Sequence, residues 1–288
     1  MPPRPEHLSS LTGPGLRWDR LDDTLECSMP HALTRAAGYM KHVRGQHGEH
    51  VLFRGQTSNW PSCIPSLFRV VTGGTLTQKI QARRSSALED YVVSARGAGA
   101  FIRGTSYPYD FAHEPLLQQY GIATRWLDVV DNLWVALWFA VQECVPDPEC
   151  RRHWHFTPST KPFGYVLLMS PGENVRPVPK KPGLAETTRC ELIDLRVAAP
   201  SLFVRPHAQH GLLLRRKTYP PRDVTLNEQI VGVIKVKTNL ARRWLGKGFL
   251  HDPHVVFPPP HYDAGYSRLL GNAPEPPQDI GGIGIVFA

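Results

Sequence analysis

No stretch of the chain approaches the roughly 18 uncharged apolar residues that a membrane-spanning helix needs. The longest apolar run, Leu133-Trp134-Val135-Ala136-Leu137-Trp138-Phe139-Ala140-Val141, falls far short. The first residues, Met1-Pro2-Pro3-Arg4-Pro5-Glu6, lack the apolar core of a secretory leader. No C-x-x-C occurs, and the five cysteines, Cys27, Cys63, Cys144, Cys150 and Cys190, are an odd set. That pattern excludes a disulfide framework and implies reduced thiols. Together these absences lead to the expectation of a cytoplasmic chain with no membrane contact. A Walker loop, a G-x-S-x-G elbow and a G-x-G-x-x-G fingerprint are all missing, which removes the common nucleotide-triphosphatase, hydrolase and dehydrogenase readings. Carboxylates do not cluster as a two-metal nuclease would require. The His207/His210 and His251/His254 pairs have no cysteine or carboxylate to complete a ligand set, so no metal site is expected.

What is present describes a globular protein. Of 288 residues 41% are apolar and 20% charged, outside the disordered range and enough for a sizeable core. The 28 prolines imply irregular connections and argue against a plain helical bundle. The net charge of +8 is spread over pairs such as Arg83-Arg84 and the triplet Arg215-Arg216-Lys217. Such charge favours polyanionic partners, but without a basic helix or an aromatic–basic ladder it also describes a merely solvated surface.

Periodicity places helices at 30–44, 78–96, 115–120 and 131–144, with Gly121 ending the third and Asp131 or Asn132 capping the fourth. The fourth is apolar all round and should be buried on every side. A short buried strand is expected at Val51-Leu52-Phe53, ending in Arg54-Gly55. Further strands are expected at 164–169, 212–214, 229–236 and 283–287, with a helix at 238–245. Residues 57–74 read as irregular, with a turn at Gly73-Gly74. Residues 1–29 read as an irregular arm with an amphipathic piece near 16–25, and residues 30–288 as a single domain with an irregular proline-rich segment at 253–277. Helices in the first half and strands in the second make the class α+β: a helical N-terminal half on a mainly antiparallel β-sheet core that can split in two.

Two segments carry the chemistry. In the first, Phe53-Arg54-Gly55-Gln56, Arg54 offers a planar fork for phosphate or ribose oxygens. Gly55 would let a flat ligand approach the backbone, and Gln56 adds an amide. The bland alternative is a core ion pair beside a turn glycine. In the second, Gln118-Gln119-Tyr120-Gly121-Ile122-Ala123-Thr124-Arg125-Trp126-Leu127-Asp128, several polar side chains precede a buried helix, so they must be paired or must face a cleft. The bland alternative is an Arg125–Asp128 ion pair with capping. Tyr107 and Tyr109 are further candidates to stack on a ligand, ordinary loop packing being the alternative.

These residues resemble a known family. Phe53-Arg54-Gly55-Gln56 is similar to the motif that names the FRG domain. Pro65-Ser66-Leu67-Phe68-Arg69 resembles its next element, and the block from Leu116 to Asp128 with Val135-Ala136-Leu137-Trp138-Phe139-Ala140 resembles its longest. Arg205-Pro206-His207-Ala208-Gln209-His210-Gly211 and Phe257-Pro258 resemble later elements, so the likeness runs over about 50–260. More remotely, Val51-Leu52-Phe53-Arg54-Gly55 resembles the first-motif strand of arginine-class ADP-ribosyltransferases, and the stretch from Thr124 to Ala140 their second motif. Gln209 stands near the place of their late glutamate. The resemblance implies an ADP-ribosyltransferase-like fold with NAD as substrate and a nucleic acid or protein acceptor. It implies catalytic roles for Arg54, Thr124, Asp128 and Gln209, and NAD contacts from Phe53, Arg54, Gly55, Gln56, Gln119, Tyr120 and Arg125. A toxin or anti-phage effector with an antitoxin or regulatory partner would fit that activity. From a different class, a non-catalytic nucleotide- or nucleic-acid-binding FRG module would use the same cleft.

Overall fold

The computed structural model describes residues 8–60, 62–69, 76–101, 109–147, 149, 153–219, 223–246 and 252–287. In chain order the elements begin with β1 (Leu16–Asp19), β2 (Thr24–Cys27), α1 (Pro30–Gly45), β3 (Leu52–Gln56), α2 (Gln78–Gly97), α3 (His113–Gln119), β4 (Leu127–Val130), α4 (Leu133–Val141) and β5 (Gln142–Pro146). They continue with β6 (His153–Pro158), β7 (Phe163–Met169), β8 (Arg176–Pro177), β9 (Leu184–Glu186), β10 (Cys190–Asp194), α5 (Leu195–Ala198), α6 (Val204–Ala208) and β11 (Gly211–Arg216). The last are β12 (Ile230–Lys237), α7 (Thr238–Leu245), α8 (Pro253–Val256), α9 (Ala264–Asn272) and β13 (Ile285–Phe287).

The fold is α+β. A large sheet runs β1-β2-β12-β7-β3-β4-β11-β10-β9-β8, antiparallel throughout except where β2 lies parallel to β12. A smaller sheet, β13-β6-β5, stands apart. The large sheet is itself close to split. Strand β3 keeps five registered pairs with β7, and β4 keeps four with β11, but β3 and β4 share a single pair, Phe53–Val130.

The alternation of side chains along each strand sorts the core. Phe53, Val130, Val166, Leu168, Ile234 and Val236 pack with α1, α4 and α7. Leu52, Leu127, Val129, Leu167, Met169, Leu212 and Leu214 pack together in a second cluster. A third is built from α2, α3, α5 and α9 around Tyr120, Trp126, Phe203 and Tyr266.

Helix α4 sits unusually close to the sheet. A Cβ placed on Gly55 would lie 1.8 Å from the carbonyl oxygen of Ala136, and one on Gly164 would lie 2.5 Å from that of Ala140. Ala136 and Ala140 share a face of α4 at i, i+4, so two small residues of the helix meet two glycines of the strands. The side chain of Asn132 caps the helix by accepting from the backbone N–H groups of Trp134 and Val135, at 2.9 and 3.3 Å.

Several expectations are corrected. The segment 16–27 is a hairpin, not an irregular arm, and β2 pairs with β12. Strand β4 interrupts what read as a loop, because its partner β11 lies some eighty residues on in sequence. Helix α4 spans Leu133–Val141, and the residues read as its last turn open the extended strand β5. Short helices α8 and α9 form within the proline-rich segment; Asp252 and Asp263 cap them. Pro61, the Gly73-Gly74 turn, Tyr107, Cys150 and His251 lie outside the described residues.

Substituting Gly55→Ala is expected to destabilise the fold by about 3 kcal/mol or more, since backbone blocks the new methyl on the helix side. Gly38 of α1 is exposed, and a methyl added there would meet nothing within 4 Å, so Gly38→Ala should stabilise by about 0.5–1 kcal/mol. Urea unfolding midpoints of the two variants should therefore move in opposite directions.

Candidate functional site

Where β3 and β4 part, a cavity of about 340 Å³ opens. That volume is near the lower end for small-molecule sites. Its apolar walls are Phe53, Val129 and Val130 from the sheet, Phe139 from α4, Trp154 and Phe156 from β6, and Phe257 beyond α8. Phe156 and Phe257 stack at 4.4 Å between centroids, and Trp138 and Phe139 support them. Polar groups enter from Arg54, Gln118, Gln119, Asp128, Arg205 and Gln209.

Asp128 is the only carboxylate among the described lining residues. Two side-chain amides hold it: Gln118 Nε2 donates to Oδ2 at 2.9 Å and Gln119 Nε2 to Oδ1 at 3.0 Å. The orientation of Gln118 follows from its other end. Its Oε1 accepts from the hydroxyls of Ser66 at 3.1 Å and Thr124 at 2.7 Å, so its NH₂ must face Asp128. Ser66 in turn accepts from the backbone N–H of Thr124. Across the split, Arg54 Nη1 donates to the backbone carbonyl of Asp128 at 2.7 Å. The first motif and the central block thus meet at one residue.

The residues picked from sequence divide accordingly. Phe53, Arg54, Gly55, Gln119, Tyr120, Asp128 and Gln209 all line the cavity. Gln56, Thr124 and Arg125 do not. Gln56 pairs with Tyr165 on β7. Thr124 is fully buried and acts through Gln118. Arg125 turns away and pairs with Glu114 at 2.6 Å and Glu89 at 2.9 Å, which corrects both the expected ligand contact and the alternative ion pair with Asp128. Gly55 is small because α4 presses on it, and not for a ligand's approach alone. Gln209 precedes β11, and its Nε2 is bound to the carbonyl of Val256 at 2.9 Å. Asp131, one of two candidate caps, instead pairs with Arg196 at 2.8 Å and His210 at 3.2 Å. Tyr109 stacks on Phe111 and does not line the cavity.

Two lining residues were missed as site residues although their blocks were noticed. Gln118 is the partner that orients Asp128. Arg205 is 2% exposed, donates Nη1 to the carbonyl of Gln119 at 2.8 Å, and lies against the rings of Tyr120, Tyr266 and Phe257 at 4.5–5.3 Å. Beside it the buried Asp263 accepts from the Tyr120 hydroxyl at 2.8 Å. Burial, then the Asp263 charge, pushes the Tyr120 hydroxyl well above its usual range, so it stays a proton donor. Among the described residues no group of three histidine, cysteine or acidic side chains is arranged to hold a metal, and no helix is long and apolar enough to cross a membrane.

Thr124→Val keeps the shape of this buried side chain but removes the donor to Gln118 and the acceptor for the Trp126 backbone N–H. It is expected to cost about 1–3 kcal/mol in urea unfolding, with Thr124→Ser retaining the hydrogen bonds and losing about 1 kcal/mol for the methyl.

The chain was compared with known proteins. The family model of the FRG domain matches residues 49–148, which contain Arg54, Ser66, Gln118, Gln119, Thr124, Asp128 and all of α4. The later blocks, Arg205 to Gly211 and Phe257-Pro258, lie outside the matched region. No curated protein and no solved structure matches the chain. Residues 49–148 carry an FRG domain.

Proposed function

We propose that the cavity binds NAD and that the protein transfers ADP-ribose from it to a nucleic acid or protein acceptor. The observation that carries this reading is Asp128, a single carboxylate held by two amides in an otherwise largely apolar and aromatic cavity. Cleavage of a nicotinamide–ribose bond gives the ribose carbon oxocarbenium character, and a fixed anion in a dry site stabilises that charge. Phe139, Phe156 and Phe257 offer faces for a flat aromatic ring. Arg54 lines the same space with guanidinium N–H groups beyond the one bound to the Asp128 carbonyl, and these suit ribose or phosphate oxygens. The bond that breaks is the glycosidic C–N bond. Its electron pair leaves with nicotinamide, and the acceptor's nucleophile supplies the new bond to carbon with loss of its proton. Such an activity would fit an effector or toxin.

A second reading is favoured by one observation. Gln209, near the position where related chemistry would place a glutamate, is a neutral amide already bonded to a backbone carbonyl. On that reading the protein is a nucleotide- or nucleic-acid-binding module without turnover.

Incubation with labelled NAD and a mixture of DNA, RNA and protein, followed by nicotinamide release and label transfer, separates the two. The expected result is transfer in the wild type and a roughly 10²–10³-fold lower rate in Asp128→Asn, with NAD affinity changed only a few-fold. NAD binding without nicotinamide release from any mixture would move the protein to the second reading.

A further inference from the structure

The charges around the cavity do not balance. Elsewhere Arg84 is held by the backbone carbonyls of Leu67 and Arg69, while the partly buried arginines Arg44, Arg125, Arg196, Arg215 and Arg216 each meet a carboxylate within 3.1 Å. The two arginines of the cavity do not. Arg54 bonds to a backbone carbonyl, and its Nε is buried without a partner. Arg205 bonds to the carbonyl of Gln119, and both its Nε and Nη2 are buried without a hydrogen-bond partner. Neither forms an ion pair with any described residue. The carboxylate beside Arg205 does not neutralise it by direct contact. Asp263 accepts from the Tyr120 hydroxyl and from the backbone N–H groups of Arg205 and Tyr266, at 2.8, 3.1 and 2.9 Å. Asp128, the one carboxylate in the cavity wall, is bonded by Gln118 and Gln119.

Two guanidinium groups therefore face one carboxylate across a cavity with aromatic walls. The buried Asp263 beside Arg205 offsets part of its charge without filling its free N–H groups, and the low dielectric around Arg205 lets the rest of its field reach across the space it lines. Three aromatic faces around the guanidinium offset part of the cost of burial without supplying negative charge. If Arg205 served packing alone, an apolar side chain of similar volume would do as well.

We infer that Arg205 makes the cavity selective for a phosphate-bearing ligand, a nucleotide over its nucleoside, with the phosphate at the end of the cavity that Arg205 and Gln119 line. This rests on the proposed function for the location of the site and adds the group that selects the ligand's charge. Arg205 acts mainly through its field and Arg54 by direct contact.

The test compares AMP with adenosine by calorimetric titration of the full chain. The expected result is AMP binding at least about ten-fold more tightly, with the difference shrinking as salt rises. In Arg205→Met the ratio should fall to about two or less while adenosine affinity is kept. In the wild type, labelled with ¹⁵N at arginine, the Arg205 Nε–H resonance should shift on adding AMP and stay in place on adding adenosine, a measurement that stands even if Arg205→Met fails to fold. Equal binding of AMP and adenosine, or an undiminished ratio in a folded Arg205→Met, overturns the inference. AMP selectivity without NAD cleavage would sink only the transferase, and NAD cleavage without AMP selectivity only the Arg205 assignment.

Discussion

The architecture turns on the contact of α4 with β3 and β7. Two glycines and two alanines bring helix backbone against strand backbone, closer than any side chain would allow. The contact sets more than the core. Only Asp131 and Asn132 separate β4 from α4, and the Asn132 side chain caps the helix. Where α4 is held, β4 is held, and Asp128 with it. The same contact fixes Gly55, the neighbour of Arg54. Helix packing thereby sets the distance across which Arg54 reaches the carbonyl of Asp128. The cavity occupies the gap left where β3 and β4 share one pair and then separate.

Much of this was legible in the chain, though not always for the right reason. The Arg54 segment and the block before α4 were read as one site from their polar content beside apolar runs, and they do line one cavity. The glycine after Arg54 was read as room for a ligand, because a sequence shows a missing side chain but not what fills its place. Arg125 reads from sequence as a ligand contact, with an ion pair to Asp128 as the bland alternative. Charge alone cannot choose between Asp128 and Glu89 or Glu114; in the fold Gln118 and Gln119 take Asp128, and the two glutamates take Arg125. Arg205 could not be recognised as buried, since its cage comes from residues 120, 257 and 266, two of them in a segment read as irregular. The early hairpin was hidden for a similar reason: strands of four residues carry little periodicity, and the buried Lys235 that pairs with Asp19 and Asp22 lies more than two hundred residues away.

The surface charge looks different once its partners are known. The triplet Arg215-Arg216-Lys217 reads as a basic patch, yet its members pair with Glu191, Asp223 and Glu186 respectively. Arg83 pairs with Asp279, and Arg189 with Glu228. The exposed pairs Arg83–Asp279 and Arg189–Glu228 contribute little stability, about 0–1 kcal/mol each, but all of these pairs cancel the local field a polyanion would follow. The net charge of +8 is therefore weak support for a nucleic acid partner.

What distinguishes the cavity is that its polar groups are positioned yet not exhausted. A carboxylate has about four lone-pair directions, and two amides use two of those on Asp128, leaving it oriented but able to accept more. Arg54 has five donors, of which one is bound to a carbonyl, and Gln209 is anchored through its NH₂. Orientation is supplied from behind, by Ser66 and Thr124 through Gln118. Groups held this way need little rearrangement when charge develops near them, and electrostatic catalysis depends on that condition. A packed polar core would have closed these valences on one another. Their convergence on one aromatic-walled space is the physical ground for treating the split between β3 and β4 as a working site.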